Sequence, residues 1–428
     1  MTKALIDDCF RPTQDRLLHD EALALLCARV RPVVAIEPVA LADACRRTLA
    51  ETVHASFPVP AHTNAAVDGY AFASTSYDPG AGSTFLVVGR AAAGHRLDVA
   101  VGAGSACRIL TGAVMPEGVD TVVMQEDVSL LPDGRVVVPP GLKPRANVRK
   151  AGEDVAAGSV LLSDGHILRP QDLAALASVG RDRVACFRRL RVAVVSTGDE
   201  IRPAGSGDLA PGQVFDANAP MLGALATLSG AAPTDLGIWP DRPDVIRERL
   251  ATAAATYDVI LTSGGASRGE EDHMAAAIGE LGSRHFWQLA IKPGRPMMLG
   301  QIGTSAVVGL PGNPVAVFVC YLMYVHPLLA RLGGAPWPEP RRWRLPAAFA
   351  FSGRKTGRRE FWRGSLVTGA DGALAVEKFA RDGSGLISGL RVADGLIDIP
   401  EETGDVAAGD PVAFIPFTEF GIAGRNGA

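Results

Sequence analysis

No CxxC pair, and no cysteine or histidine at metal-ligand spacing, occurs in the 428 residues; the six cysteines (Cys9, Cys27, Cys45, Cys107, Cys186, Cys320) are scattered. A disulfide framework and a zinc site are therefore not expected, and a reducing cytoplasm suits the chain best. The opening MTKALIDDCF sets two acids where a secretory signal needs an apolar stretch, which argues against export by that route. No apolar run is long enough to cross a bilayer. The longest, 315–325, ends at His326-Pro327 and reads as a buried helix, so no membrane association is expected. Charge of one sign is not in excess either. The 42 lysines and arginines nearly balance 46 aspartates and glutamates, and a formal charge of −4 leaves no broad basic face for nucleic acid. Also missing are GxxxxGK[ST], a GxGxxG after a strand, the GxSxG elbow and HExxH, so serine-hydrolase and zinc-enzyme chemistry have no support.

With 47% apolar residues, the chain can bury several cores, and three or more folded units are expected. Leu17, Leu18, Leu25 and Leu26 recur at helical spacing over 15–29, and a second helical pattern covers 171–178, stopped by Gly180. These two helices read as parts of one helical region, 1–56 with 150–188. Between them, 57–149 reads as an inserted β domain: the runs at 85–88, 121–124 and 135–138 are rich in β-branched residues and separated by Pro, Gly and Asp, including the turn Pro132-Asp-Gly134.

Over 189–334 strand and helix alternate. A strand at 192–195 precedes a helix at 219–228, with Asn218 as N-cap, Pro220 in the first turn and Gly230 as stop. Asp241 and Pro243 open a helix over 242–255, followed by a strand at 258–262, a helix at 272–281, a strand at 306–309 and a long helix from Pro314. This pattern implies βαβ units and a mostly parallel sheet. A stiff Pro-rich linker, 335–340, leads to a C-terminal β domain at 340–420, with turns at Asp371-Gly372 and Asp382-Gly383.

Three loops follow the strongest strands: Ser196-Thr-Gly-Asp-Glu200, the segment TSGGASRGEED at 262–272, and Leu310-Pro-Gly-Asn-Pro314. In open α/β sheets ligands bind at the carboxyl ends of strands, so all three are expected to converge on one rim. Gly264 and Gly265 let backbone approach a ligand, Ser263 and Ser267 supply hydroxyls, and the next helix start offers N–H groups to a phosphate. An isolated Gly-Gly is equally a tight turn. The acids Glu270, Glu271 and Asp272 then favour either the positive helix end or a cation beside the phosphate. Lys292 and Arg295 sit on a Pro/Gly-stiffened turn where two cations are costly unless solvated or facing anions. Pro311 and Pro314 bracket Gly312 and Asn313, fixing which N–H groups point at the rim. Asn64-Ala-Ala-Val-Asp-Gly-Tyr70 and Leu110-Thr-Gly-Ala-Val-Met-Pro116 read as surface turns, and 147–154 mixes basic and acidic residues at a domain junction.

Taken in order, PVPAHTNAAVDGYAF, RILTGAVMPEGVDTVVMQED, NVRKAGEDVAAG, VAVVSTGDEI, DVILTSGGASRGEED, LAIKPGRPMMLG and VVGLPGNPVAVF resemble the molybdopterin molybdenumtransferases, the MoeA-like proteins that also form part of gephyrin. The resemblance covers nearly the whole chain. It implies a multidomain α+β and α/β protein: a helical region split by an inserted β domain, a central α/β molybdopterin-binding domain, and a C-terminal β barrel-like domain. It also implies a homodimer with its cleft between the α/β domain of one subunit and the inserted domain of the other. The implied reaction inserts molybdate into adenylylated molybdopterin and releases AMP with a divalent cation such as Mg²⁺. Contacts with the molybdopterin adenylyltransferase and with recipient molybdoenzymes are implied too.

By motif match, Asp68, Thr111, Asp154, Glu200, Asp241, Asp272, Lys292, Pro311 and Pro314 stand at positions similar to family active-site residues, with Glu200 and Asp272 expected at the metal or pyrophosphate and Lys292 and Arg295 facing oxyanions. Many members carry lysines where this chain has Gln288 and Arg295, and a small or apolar residue where it has Arg268. Gln288 favours a rival reading, a molybdopterin-binding paralogue that stores, delivers or senses the cofactor; the retained Asp68, Asp154, Glu200 and Asp272 favour the enzyme. An unrelated nucleotide-dependent α/β enzyme would require the β-domain motifs to be coincidental.

Overall fold

The computed structural model describes residues 16–264, 273–369 and 372–424. Gly265, Ser267, Arg268, Glu270, Glu271, Asp272 and Asp371, singled out above, lie outside the described residues. The centre of the chain is a six-stranded sheet whose strands we number β1 (Arg191–Thr197), β2 (Ala232–Trp239), β3 (Val259–Ser263), β4 (Ser283–Gln288), β5 (Pro296–Ile302) and β6 (Ser305–Leu310). Their spatial order is β2-β1-β3-β6-β5-β4. The first four run parallel, while β5 and β4 are added antiparallel. Both faces are covered, which is why β1 reads as an unbroken apolar run rather than an alternating one. Val192 and Val194 enter one core with Leu222, Leu225, Val317 and Tyr321; Ala193 and Val195 enter the other with Ile246, Leu250, Met274 and Ile278.

The covering helices refine two expectations and bear out a third. Helix α3 (Asn218–Leu228) is capped by Asp216, whose Oδ1 accepts from the backbone N–H of Asn218 and of Ala219 at 3.0 Å each. Asn218 is therefore the first helical residue and not the cap, because its amide is drawn into contacts elsewhere. Helix α4 (Pro243–Thr256) begins with Pro243 in its first turn, and α5 (His273–Leu281) packs beside it. The helix starting at Pro314, α6, does not stop at His326-Pro327 but continues to Leu332. A π turn at Tyr321–Val325, in which the His326 N–H reaches back five residues to Tyr321 O, makes room for the Pro327 ring that would crowd an ordinary turn. Those 19 residues are long and apolar enough to cross a membrane by length and composition, yet 83% of the stretch is buried inside the fold.

The helices α1 (His19–Arg29) and α2 (Pro170–Ser178) join different cores. Ala22 and Leu26 of α1, with Val30 just after it, pack with the central sheet's first core, whereas Leu176 of α2 packs with Val39, Leu49, Val53 and Val184. Spacing marks a helical face, and tertiary packing chooses what that face meets.

The segment after α1 leads into a second six-stranded sheet, with Gly69–Phe72 between Ser105–Ile109 and Thr121–Met124, and Ser83–Ala91 beside Arg135–Val138. A third sheet is built from Arg359–Thr368, Gly395–Ile399, Pro411–Pro416, Trp343–Pro346 and Leu374–Lys378, and a bridge between Ala347 and Val376 curls it back on itself. Its edge is extended by Ile291–Lys292, which pairs parallel with Arg359 and Glu360. A piece of the central domain thus completes the C-terminal sheet.

The same junction is tied by charge. Asp398, 1% exposed, accepts from Arg359 Nε at 2.6 Å and Arg342 Nε at 2.9 Å, while Arg359 also reaches Asp20 of α1 at 3.1 Å. Burial pushes the Asp398 carboxyl up, but the bonds and charges of Arg359 and Arg342 outweigh it and hold the group below its ordinary value. Such a group stabilises the fold above its unfolded-state pKa of about 4, and that stability is lost as pH falls through the lower folded-state value. Asp398→Ala strands Arg359 without its main partner and is expected to cost about 3–5 kcal/mol at pH 7, read as a fall in the thermal unfolding midpoint. The gap between variant and wild type should narrow on acidification below about pH 4; a gap constant with pH would count against this assignment.

Candidate active site

The ends of β1, β3 and β6 lie side by side, with Ser196 opposite Ser263 and Ser263 opposite Leu310. Their following loops therefore leave from one rim, as expected. Gly264 adopts φ +88°, and a Cβ there would lie 2.9 Å from Thr197 O, so the turn out of β3 needs glycine. The Gly264 N–H bonds Leu310 O at 3.2 Å. Ser263 is 1% exposed and its hydroxyl accepts from Asn218 Nδ2 at 2.7 Å, so this candidate hydroxyl is turned into the protein.

Above the rim lies a cleft of about 530 Å³ between the central and C-terminal domains. Gly264, Pro311, Gly312 and Asn313 form one wall, Lys292 to Gly294 the floor, and Phe361, Arg363, Lys378 and Phe379 the other wall. Lys292 belongs to the shared edge strand, and its Nζ stands 3.4 Å from Glu360 Oε2. Behind it, Gly294 packs so close to α6 that an added Cβ would lie 2.4 Å from Cys320 Sγ. Burial pushes the Cys320 thiol up to about 12, so this sulfur is inert. Asn313 precedes helix α6 and Pro314 begins it, but the first free N–H, that of Val315, bonds Ser384 O at 2.9 Å. The helix start thus holds a C-terminal loop, leaving the Pro311–Asn313 turn to face the cleft.

Arg295 donates to Gln288 Oε1 at 2.9 Å and does not line the cleft. Gln288 is therefore not simply a missing cation: its amide oxygen orients a neighbouring one. Two cations came to light only in three dimensions. Arg363, 7% exposed, donates to Leu386 O at 2.8 Å and Arg381 O at 2.7 Å and lies 4.7 Å over the Phe379 ring. Burial pulls its pKa below the usual guanidinium value. Lys378 Nζ is held by Asp382 Oδ1 at 2.7 Å over the rings of Phe351 and Trp362. The available signal was an arginine inside an apolar strand run, EFWRGSL, where a charge needs a reason.

Asp68 and Thr111 are brought together, though not at this cleft. Asp68 Oδ1 accepts from both the hydroxyl and the backbone N–H of Thr111 at 2.7 Å, and these bonds hold the exposed carboxyl below its ordinary value. The Asp-Gly beside it is not a surface turn: Gly69 starts a strand paired on both sides, and a Cβ would meet Val123 O at 1.8 Å. Asp154 donates its N–H to Val59 O at 3.0 Å beside the inserted domain, Glu200 is exposed after β1, and Asp241 is exposed before α4. None of these lines the cleft. Among the described residues no group of three or more His, Cys, Asp or Glu side chains comes together to hold a metal ion. The Glu200 carboxylate folds over Gly198, where a Cβ would lie 2.5 Å from Oε2, and Asp272 lies outside the described residues. The described donors therefore do not complete a magnesium site.

Comparison with known proteins matches residues 17–180 to the MoeA N-terminal region (domains I and II), 193–331 to a probable molybdopterin binding domain, and 344–417 to the MoeA C-terminal region (domain IV). The molybdopterin molybdenumtransferase of Haemophilus influenzae is 35% identical over 402 residues, covering 94% of this chain and 98% of that protein. Molybdopterin molybdenumtransferase 2 of Mycobacterium tuberculosis is 32% identical over 401 residues, covering 91% and 96%. The crystal structure of a molybdopterin biosynthesis MoeA protein from Pyrococcus horikoshii superposes with a TM-score of 0.81 at 28% identity, covering 94% of this chain and all of that one (100%). With these relatives matching more than nine-tenths of the sequence, the chain belongs to the molybdopterin molybdenumtransferase family, the MoeA-like proteins.

Proposed function

We propose that the chain is a molybdopterin molybdenumtransferase of molybdenum cofactor biosynthesis, inserting molybdate into adenylylated molybdopterin with release of AMP. The observation that carries this reading is the cleft, where glycine-rich backbone at the ends of parallel strands faces Lys292, Arg363 and Lys378. Backbone N–H groups and fixed cations in a partly dry cleft are what a phosphate, a pyrophosphate and a molybdate oxyanion all require. The dithiolene sulfurs that take the metal belong to the substrate, so the reaction needs no thiolate from the protein, in keeping with the inert Cys320 beneath the cleft. The rival reading as a storage or sensing paralogue loses its main support, because Gln288 has a defined task in orienting Arg295. This proposal includes a cytoplasmic location and contacts with the adenylyltransferase that supplies the substrate and the enzymes that receive the product.

The active unit in this proposal is a homodimer. Asp68, Thr111 and Asp154 lie outside the cleft of their own chain, and the Asp68–Thr111 pair would complete the cleft of the partner subunit. Mg²⁺ is part of the same reading, with Glu200 and Asp272 as ligands proposed from their motifs.

Incubating the protein with adenylylated molybdopterin, molybdate and Mg²⁺ is expected to release AMP and yield active cofactor, and Asp272→Asn to slow release at least about a hundredfold with the circular dichroism unchanged. Binding of molybdopterin without AMP release by the wild type would instead support the paralogue. Mixing inactive Asp68→Ala with inactive Lys292→Ala subunits should restore about a quarter of the wild-type rate, since half the dimers are mixed and each then has one intact cleft. Absence of recovery in a mixture shown to exchange subunits would overturn the shared cleft.

A further inference from the structure

Asn218 is 7% exposed, and because Asp216 caps α3 its amide is not spent on the helix start. Instead, Nδ2 donates to Ser263 Oγ and to the Gly312 carbonyl oxygen, both at 2.7 Å. Those acceptors end β3 and follow β6, far from Asn218 and from each other in sequence. A carboxamide nitrogen carries two donors in fixed geometry, so this one group can hold two loops at a set separation. The Gly264 N–H to Leu310 O bond at 3.2 Å and the Thr262 hydroxyl to Gly264 O bond at 3.1 Å hold the start of these loops, but neither reaches Gly312, which has no side chain of its own. Both glycines line the cleft. The Asn218 Oδ1 is buried with no hydrogen-bond partner among the described residues, so burying this amide is balanced by its two donor bonds.

We propose that Asn218 is a positioning residue for the transferase, clamping Ser263 to Gly312 so that the Gly264 turn and the Pro311–Asn313 turn face one bound phosphate together. The inference rests on the proposed function for its substrate. Asn218 does not line the cleft and acts through the two loops. A clamp that shapes the binding wall serves substrate and transition state alike, so its loss weakens binding more than it slows the chemical step.

Asn218→Asp keeps the shape and replaces the donor nitrogen with an oxygen. Expected is a rise of about tenfold or more in KM for adenylylated molybdopterin with kcat within about threefold of wild type. Backbone hydrogen exchange over 262–264 and 310–314 should also quicken. An unchanged KM, or a fall in kcat alone, would overturn the clamp, as would wild-type exchange in both loops. Should Asn218→Asp fail to fold, Asn218→Ala is read by the same measurements. If the wild type releases no AMP, the transferase reading fails by itself, and hydrogen exchange in the two loops still decides whether Asn218 clamps them.

Discussion

The parallel register that sets Ser196, Ser263 and Leu310 side by side is the constraint on which the candidate site depends. Hydrogen-bonded parallel strands end on the same edge of a sheet, so the loops that follow β1, β3 and β6 must leave together. The loops after β1 and β3 turn at Gly198 (φ +144°) and Gly264 (φ +88°), which hold conformations that other residues reach only with strain. Buried apolar side chains on both faces keep the register from slipping, since a shift by one residue would exchange the two cores.

One wall is not sufficient for an oxyanion cleft, and the second depends on the edge strand Ile291–Lys292. By pairing with Arg359 and Glu360 it brings the C-terminal sheet against the rim, and Asp398 with Arg359 and Arg342 secures that junction from behind. Lys292 is thus at once a strand residue of one domain's sheet and a cleft residue of another. Arg363 and Lys378 follow from the same docking, because they lie on strands of the sheet that Lys292 extends.

Much of the architecture was legible because local chemistry and tertiary environment agreed. The runs at 121–124 and 135–138 are strands at those same residues, and the helix from Pro314 begins where proline suits a first turn. Where they disagreed, distant groups won. Asn218 has the chemistry of a cap, but its buried amide bonds Ser263 and Gly312 while Asp216 caps the helix. His326-Pro327 has the chemistry of a helix end, but the surrounding core and a π turn carry the helix through. Asp68-Gly69 has the chemistry of a turn, but the adjacent strand carbonyl demands glycine for close approach.

By itself the sequence determined the alternation of strands and helices, the glycine- and proline-bounded loops, and through ordered motifs the family; these depend on spacing and side-chain type, which are local properties. Only the tertiary structure decided that Ser263 faces inward, that Gln288 holds Arg295, and that Arg363 and Lys378 share a cleft with Lys292. Ser263 meets a partner 45 positions away, and even Gln288 and Arg295, seven apart, meet where two strands pair. Such contacts exist only where strand register and domain docking bring the atoms within hydrogen-bonding or ion-pairing distance.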